Sequence, residues 1–422
     1  MSELSYLEKL LEGIEVEWFP LGKVAKKIYS GGTPDTKKIE YWEHGTIPWM
    51  SSGEVNLKTI KETEKFITED GLNNSSAKFV PENSIVMALA GQGKTRGKVA
   101  RTRIKLTTNQ SLAAITFDER KINSDYIFHF LETQYDNLRQ ISSGNSGRGG
   151  LNLQMISAYK APIPCPGDPE KSLAIQSEIV RILDKFTALT AELTAELTAR
   201  KKQYNYYRDQ LLSFDEGEVE HLPMGQKDIG EFIRGGSLQK KDFTESGVGC
   251  IHYGQIFTHY GTYTDKTKTF VSESLAKRCR KAQSGNLVIA TTSENDDDVC
   301  KAVAWMGDDD IAVSSDACIY KHKLNPKYVS YFFQTEHFQN QKRQYITGTK
   351  VRRVNADNLA KILIPVPSRE EQNRIVTILD NFDTLTSSIT EGLPREIELR
   401  QQQYEYYRDL LFSFPKPEAV TD

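Results

Sequence analysis

The sequence predicts an α+β chain: two mixed α/β domains separated by two long helices packed as an antiparallel coiled coil, with a pseudo-twofold internal repeat. Three observations predict it. One block of sequence recurs about 200 residues later, and that block has helical periodicity. The stretches between hold short apolar runs bounded by Gly-, Ser- and Asn-rich loops.

The repeat can be read directly. Residues 200–214, RKKQYNYYRDQLLSF, return at 400–414 as RQQQYEYYRDLLFSF, with ten of the fifteen positions identical. Upstream, QSEIVRILDKF from Gln176 to Phe186 matches QNRIVTILDNF from Gln372 to Phe382. Ile163-Pro164-Cys165-Pro166 likewise matches Ile364-Pro365-Val366-Pro367. Between these blocks the halves diverge. They keep the pair Gly31-Gly32 against Gly235-Gly236, and the apolar run Asn83 to Ala88 against Asn286 to Ala290. The chain thus divides into an N-terminal segment 1–14, a variable domain 15–167, a helical region 168–214, a second variable domain 215–367, a helical region 368–414 and a tail 415–422. Divergent parts of a doubled chain are expected at equivalent places but against different contacts.

Each element has a local reason. Asp168-Pro169-Glu170 offers an N-cap followed by proline at the first helical position. Ser368-Arg369-Glu370-Glu371 has the spacing of a capping box. Leu173, Ile175, Ile179, Ile182, Leu183 and Phe186 follow helical spacing. A second helix is expected from about Thr187 to Ser213. It opens on the repeat Thr190-Ala191-Glu192-Leu193, Thr194-Ala195-Glu196-Leu197, where Leu189, Leu193 and Leu197 form one apolar stripe. In the second block Gly392 and Pro394 predict a break, with Pro394 restarting the helix. In the variable domains Ile85 to Ala90 and Leu287 to Thr292 read as buried strands. The loops Ser30 to Pro34, Ala90 to Gly97, Ser142 to Gly150, Ser293 to Asp298 and Thr347 to Arg353 separate such elements.

Composition bounds the function. The chain has 422 residues, 26% charged and 38% hydrophobic, which suits two or three globular domains. No apolar run reaches the ~18 residues of a membrane helix, and the first residues, with Glu3 and Glu8, do not read as a secretory signal. Five scattered cysteines (165, 250, 279, 300, 318) form no CxxC pair. No metal site or disulfide framework is expected, and a reducing cytoplasm is. The net charge of −3 is unevenly spread: +4 over 15–165, 0 over 215–366 and −7 over the helix-rich remainder. A uniformly basic nucleic-acid binder is excluded; local basic loops are not.

The chain resembles the specificity subunit of type I restriction–modification systems, in particular their IC-like branch. The resemblance rests on the opening MSELSYLEKLLEG, on Gly31-Gly32-Thr33-Pro34 with Tyr41-Trp42 and Ile47-Pro48-Trp49-Met50, and on Gly249 to Ile256 (GCIHYGQI). The two Thr-Ala-Glu-Leu units and the duplicated helix blocks complete it. The second half lacks the Thr-Pro and Pro-Trp residues of the first.

The resemblance implies a non-catalytic subunit that binds double-stranded DNA, each variable domain being a target recognition domain for one half of a split site. It implies two methyltransferase subunits, which bind S-adenosylmethionine and methylate adenine N6, and two restriction/translocase subunits, with ATP and Mg on those partners. No cofactor, metal or membrane is expected on this chain itself. The helices would set the half-site spacing. One extra tetrapeptide lengthens a helix by ~6 Å, close to two base-pair steps of ~3.4 Å.

Candidate DNA contacts follow from residue chemistry. Gln92, Lys94, Arg96, Lys98 and Arg101 lie in and after a glycine-rich loop where backbone can approach a phosphate. Asn145, Ser146 and Arg148 occupy a second such loop. In the second domain Lys350, Arg352 and Arg353 form a basic cluster. Ser293 and Asn295, with Glu294, stand where the Gln92 loop has its counterpart; the adjacent Asp296 to Asp298 would repel phosphates, so this loop reads cytosine N4 edges or faces away. A solvated basic loop is the bland alternative at each site. Tyr204 and Tyr207, with their copies Tyr404 and Tyr407, are partner-binding candidates or helix-tail core, as are Tyr206 and Tyr406.

Two motifs point elsewhere. Ala88 to Thr95 (ALAGQGKT) nearly matches a phosphate-binding P-loop, but its first position is not glycine and Arg96 to Arg103 does not read as the required helix. Asn325-Pro326-Lys327-Tyr328 approaches an adenine-methyltransferase tetrapeptide, with no glycine-rich cofactor loop before it. The rival functions are therefore a nucleotide- or S-adenosylmethionine-using enzyme and a scaffold that only binds proteins.

Overall fold

Ile85–Ala88 and Leu287–Ala290 are strands with every residue buried, as the apolar runs predict. The computed structural model describes residues 13–91, 95–142, 150–215, 217–388 and 390–414. The chain packs as two units, Met1–Ala191 with Leu399–Asp422, and Glu192–Glu398. Each unit therefore combines one variable domain with segments of both helical regions. Five helices matter below: α1 Ser124–Thr133, α2 Pro169–Leu211, α3 Pro326–Phe332, α4 Arg369–Ser387 and α5 Leu393–Leu411.

In unit 1 a five-stranded sheet runs in the order Lys27–Ser30, Leu112–Thr116, Ile85–Ala88, Val99–Thr102, Thr59–Ile60. The first four strands are antiparallel neighbours and the last joins in parallel. Side chains alternate across the sheet. Ile85 and Met87 pack in the core that includes Tyr126, Ile127 and Phe130 of α1, while Val86 and Ala88 face Met50 and Leu106 of a four-stranded second sheet. A sheet covered on both faces explains why the strand is apolar throughout rather than alternating.

Unit 2 repeats this order with Gly230–Arg234, Ala317–His322, Leu287–Ala290, Ala302–Trp305 and Tyr263–Thr264, again with only the last pair parallel. Leu287 and Ile289 pack with Tyr328, Val329 and Phe332 of α3, and Val288 and Ala290 with Ile251 and Ile311. The two glycine pairs also do the same work. A Cβ on Gly31 would sit 2.0 Å from the Thr108 carbonyl oxygen, and one on Gly235 would sit 2.0 Å from that of Ser314. Only glycine permits that approach.

The helical regions differ from expectation in two respects. α2 is one unbroken helix of 43 residues rather than two meeting near Thr187. Nothing between Glu170 and Leu211 is glycine or proline. The hydroxyls of Thr187, Thr190 and Thr198 donate to carbonyls four residues back, at 3.2, 2.9 and 2.9 Å, so they ride the helix instead of capping a new one. At α4, Ser368 Oγ accepts from Glu371 N at 3.2 Å, but the Glu371 carboxylate pairs with Arg374 at 2.6 and 2.8 Å rather than returning to Ser368. The motif is thus half a capping box. The break before α5 is present, with Gly392 at φ +83°.

The long helices pair within each unit as antiparallel coiled-coil partners. Phe186 of α2 stacks on Tyr407 of α5 in unit 1, with ring centroids 5.3 Å apart. Tyr207 of α2 stacks on Phe382 of α4 in unit 2, at 5.7 Å. Leu189, Leu193 and Leu197 are half-buried along α2.

Candidate nucleic-acid interface

In both units the loop after the central strand is tied to a loop arriving from far along the chain. In unit 1 Leu151 N donates to Leu89 O at 3.0 Å; in unit 2 Val354 N donates to Thr291 O at 3.2 Å. Asn152 and Asn355, one residue further on, each cap the next short helix. In each unit the end of the central strand is thus tied to the residue that follows the second candidate loop.

In unit 2 the two loops form one ribbon. Thr292–Ser293 pairs with Arg352–Arg353, Ser293 opposite Arg352, and Arg353 also exchanges backbone hydrogen bonds with Thr347 at 2.9 Å each. Lys350 and Val351 are exposed at the turn, and Arg353 is exposed beside them. Ser293, Asn295, Lys350, Arg352 and Arg353 are thereby brought together. The neighbouring acids have internal partners. Asp296 forms an ion pair with Arg352, Oδ1 to Nε 2.7 Å, and Asp298 accepts from Asn295 Nδ2 at 2.7 Å. Lys342, itself buried, donates to the carbonyls of Asp297 and Val299 at 3.1 and 2.9 Å. Burial holds its amine below the ordinary lysine pKa. Asp296 and Asp298 thus have side-chain partners, while all three acids of the run remain exposed.

In unit 1 the loop closes through Gly97 N to Ala88 O and Lys98 N to Thr95 O, both 2.9 Å, with Gly97 at φ +84°. Arg96 is half-buried, and Lys98 reaches Asn56 Oδ1 at 2.7 Å. Gln92, Lys94, Asn145, Ser146 and Arg148 lie outside the described residues.

Arg101 is a correction to the sequence reading. It sits in the strand Val99–Thr102 with its side chain buried, not in a DNA-facing loop. Its Nη1 lies 2.9 and 3.2 Å from the carboxylate oxygens of Asp184 on α2 and 3.3 Å from Asp125 on α1.

The known proteins that this architecture matches decide the family. Residues 14–200 and 223–399 match the type I restriction modification DNA specificity domain. The chain belongs to this family. It is 41% identical over 428 residues to the type I restriction enzyme EcoR124I/EcoR124II specificity subunit of Escherichia coli, covering 100% of both chains. It is 33% identical over 412 residues to the EcoprrI specificity subunit of the same organism, covering 93% of each. The solved type I restriction–modification S subunit from M. genitalium shares the fold, with a TM-score of 0.53 at 12% identity over 96% of this chain and 98% of that one.

Within this specificity subunit the helix tyrosines separate by face. Tyr404 is half-buried; its hydroxyl donates to Glu132 at 2.8 Å and lies 3.1 Å from His129 Nδ1. Tyr204 is buried and donates to Gln334 at 3.3 Å. Both hold a variable domain to its helices rather than offering an outer surface. Tyr207 and Tyr407 are stacked as described above. The most outward residues are Tyr206 and Tyr406, 61% and 57% exposed, and Tyr207 is exposed as well at 40%. The helical period could have shown this, since positions 204 and 206 lie about 200° apart around the axis.

The rival motifs have structural explanations. The P-loop-like stretch leads into a strand of the same sheet, not a helix. Asn325 caps α3, its Oδ1 accepting from Lys327 N and Tyr328 N, with Pro326 at the first helical position. Among the described residues no group of three His, Cys, Asp or Glu is placed to hold a metal. No helix there is long and apolar enough to cross a membrane.

Proposed function

We propose that this chain reads DNA sequence for a type I restriction–modification enzyme, each unit recognising one half of a bipartite site. The helices set the half-site spacing and dock two methyltransferase subunits. The observation that carries this reading is one topology built twice, with unlike sequences in the loops that follow the two central strands. Equivalent frames present different side chains, which is what two unlike half-sites require. The chain performs no chemistry itself. S-adenosylmethionine belongs to the methyltransferase subunits, and ATP and Mg to two restriction/translocase subunits, all in the cytoplasm. Mapping methylated adenines in cells that carry this chain with its partner subunits tests the reading. A motif of two dissimilar halves across a fixed unspecified gap is expected; one uninterrupted motif would refute it.

A further inference from the structure

Unit 2 faces a physical conflict that unit 1 does not. Its candidate DNA edge carries Asp296, Asp297 and Asp298 where DNA would bring phosphates. Acids at such an edge weaken binding unless they serve something else. The geometry shows what Asp296 does: its carboxylate takes Arg352 Nε at 2.7 Å, while Arg352 Nη1 donates to the Gly348 carbonyl at 2.5 Å. Gly348 is in the left-handed region at φ +91°, and a Cβ there would meet the Val351 carbonyl oxygen at 2.1 Å. The turn that offers this carbonyl therefore needs glycine.

Two anchors on one planar group fix its orientation. Of the five guanidinium protons the Gly348 carbonyl takes one, and the Asp296 ion pair holds the Nε edge. Both Nη2 protons and one on Nη1 are left, and among the described residues Nη2 has no partner. Those can act as a fork of donors. A fork of two parallel N–H donors matches the O6 and N7 acceptors of guanine in the major groove, which is wide enough for a two-stranded ribbon. Asn295, the other amide candidate here, is held by local bonds to Asp298. Its Oδ1 accepts from Asp298 N at 2.8 Å and its Nδ2 donates to Asp298, which fixes the amide and leaves one lone pair and one proton on it.

We propose that Arg352 reads a guanine in the half-site of unit 2, and that Asp296 is its positioning residue. The proposal rests on unit 2 binding DNA through this ribbon. The experiment uses the full chain assembled with its methyltransferase partner. Methylation rates and DNA affinity are measured on duplexes with each of the four base pairs at every position of that half-site, and on random duplex DNA.

Arg352→Ala should lose the preference for G·C at one position, by about 5- to 150-fold, the worth of a bidentate contact. Arg352→Lys, which keeps the charge but not the fork, should lose the same preference with less loss of affinity for random DNA. Asp296→Asn should weaken preference at that same position while its affinity for random DNA rises, because a negative charge is gone. Adding Asp296→Asn to Arg352→Ala should cost no further preference. A purely structural role for Asp296 would not focus its effect on one base pair. If Asp296→Asn raises affinity for all DNA and leaves the G·C preference intact, the positioning role is overturned. If Arg352→Ala changes neither preference nor affinity, DNA reading by this ribbon itself is wrong.

Discussion

Replacing Asp184 by asparagine should loosen unit 1 and leave unit 2 untouched. Asp184, on α2, takes Arg101 Nη1 at 2.9 and 3.2 Å and His129 Nε2 at 3.0 Å. Arg101 is the buried member, its side chain 9% exposed against 36% for Asp184. Removing one partner of a fully buried pair costs ~3–5 kcal/mol, because the other charge stays behind uncompensated. Here two facts reduce the loss. Arg101 keeps Asp125 at 3.3 Å and Thr59 Oγ1 at 3.1 Å, and water can reach the substituted side chain and screen what remains. We expect about 2 kcal/mol, or roughly 30-fold less protection from hydrogen exchange for the amides of α1. The amides of α3 in unit 2 serve as the internal control. Unchanged protection in α1, or equal loosening of α1 and α3, would refute the assignment of Asp184 as a local clamp.

Stability of unit 1 should also depend on pH in a defined window. Burial alone would lower the His129 pKa, but hydrogen bonds and charges from Asp184 and Glu132 outweigh it and hold the imidazole above its ordinary value. Its contribution is complete below about pH 6.5 and is lost as pH rises through the raised pKa. Burial of Glu132 is likewise outweighed by His129 and Lys58, which hold it down to about 2. That contribution is present above about pH 4.5 and is lost as pH falls toward 2. Unit 1 should therefore be most stable between about pH 4.5 and 6.5, and His129→Tyr should flatten the upper slope in a pH series of thermal melts; a slope that survives the substitution would point to another group. Tyr206→Ala combined with Tyr406→Ala should shift stability by no more than about 0.5 kcal/mol, since both side chains are exposed. Sedimentation with the methyltransferase subunit should show weakened association at both positions, and full-strength assembly would remove these tyrosines from the docking surface.

How much of this was legible in the sequence depends on how local each cause is. The helix blocks were legible because identical residues recur at helical spacing, and Gly392 marked its break by backbone conformation alone. The common topology of the variable domains was visible only at Gly31-Gly32, Gly235-Gly236 and the two central strands. Those are the places where a carbonyl approaches within the space of a Cβ or where both sheet faces are covered. Arg101 was misread because its partner Asp184 lies 83 residues away, and a basic residue near a glycine loop gives no local sign of facing inward. The ribbon joining Ser293 to Arg352 was not legible either. It depends on backbone pairing between segments about 60 residues apart, which propensity does not encode. The single helix through Thr187 was misjudged for a different reason: threonine suits caps, yet its hydroxyl can instead bond the preceding turn.

The proposal that the helical repeat sets the half-site spacing is most directly tested by inserting one further Thr-Ala-Glu-Leu unit after Leu197 and mapping the methylated adenines. The two half-motifs should keep their sequences while the gap between them lengthens. An unchanged gap would contradict the account.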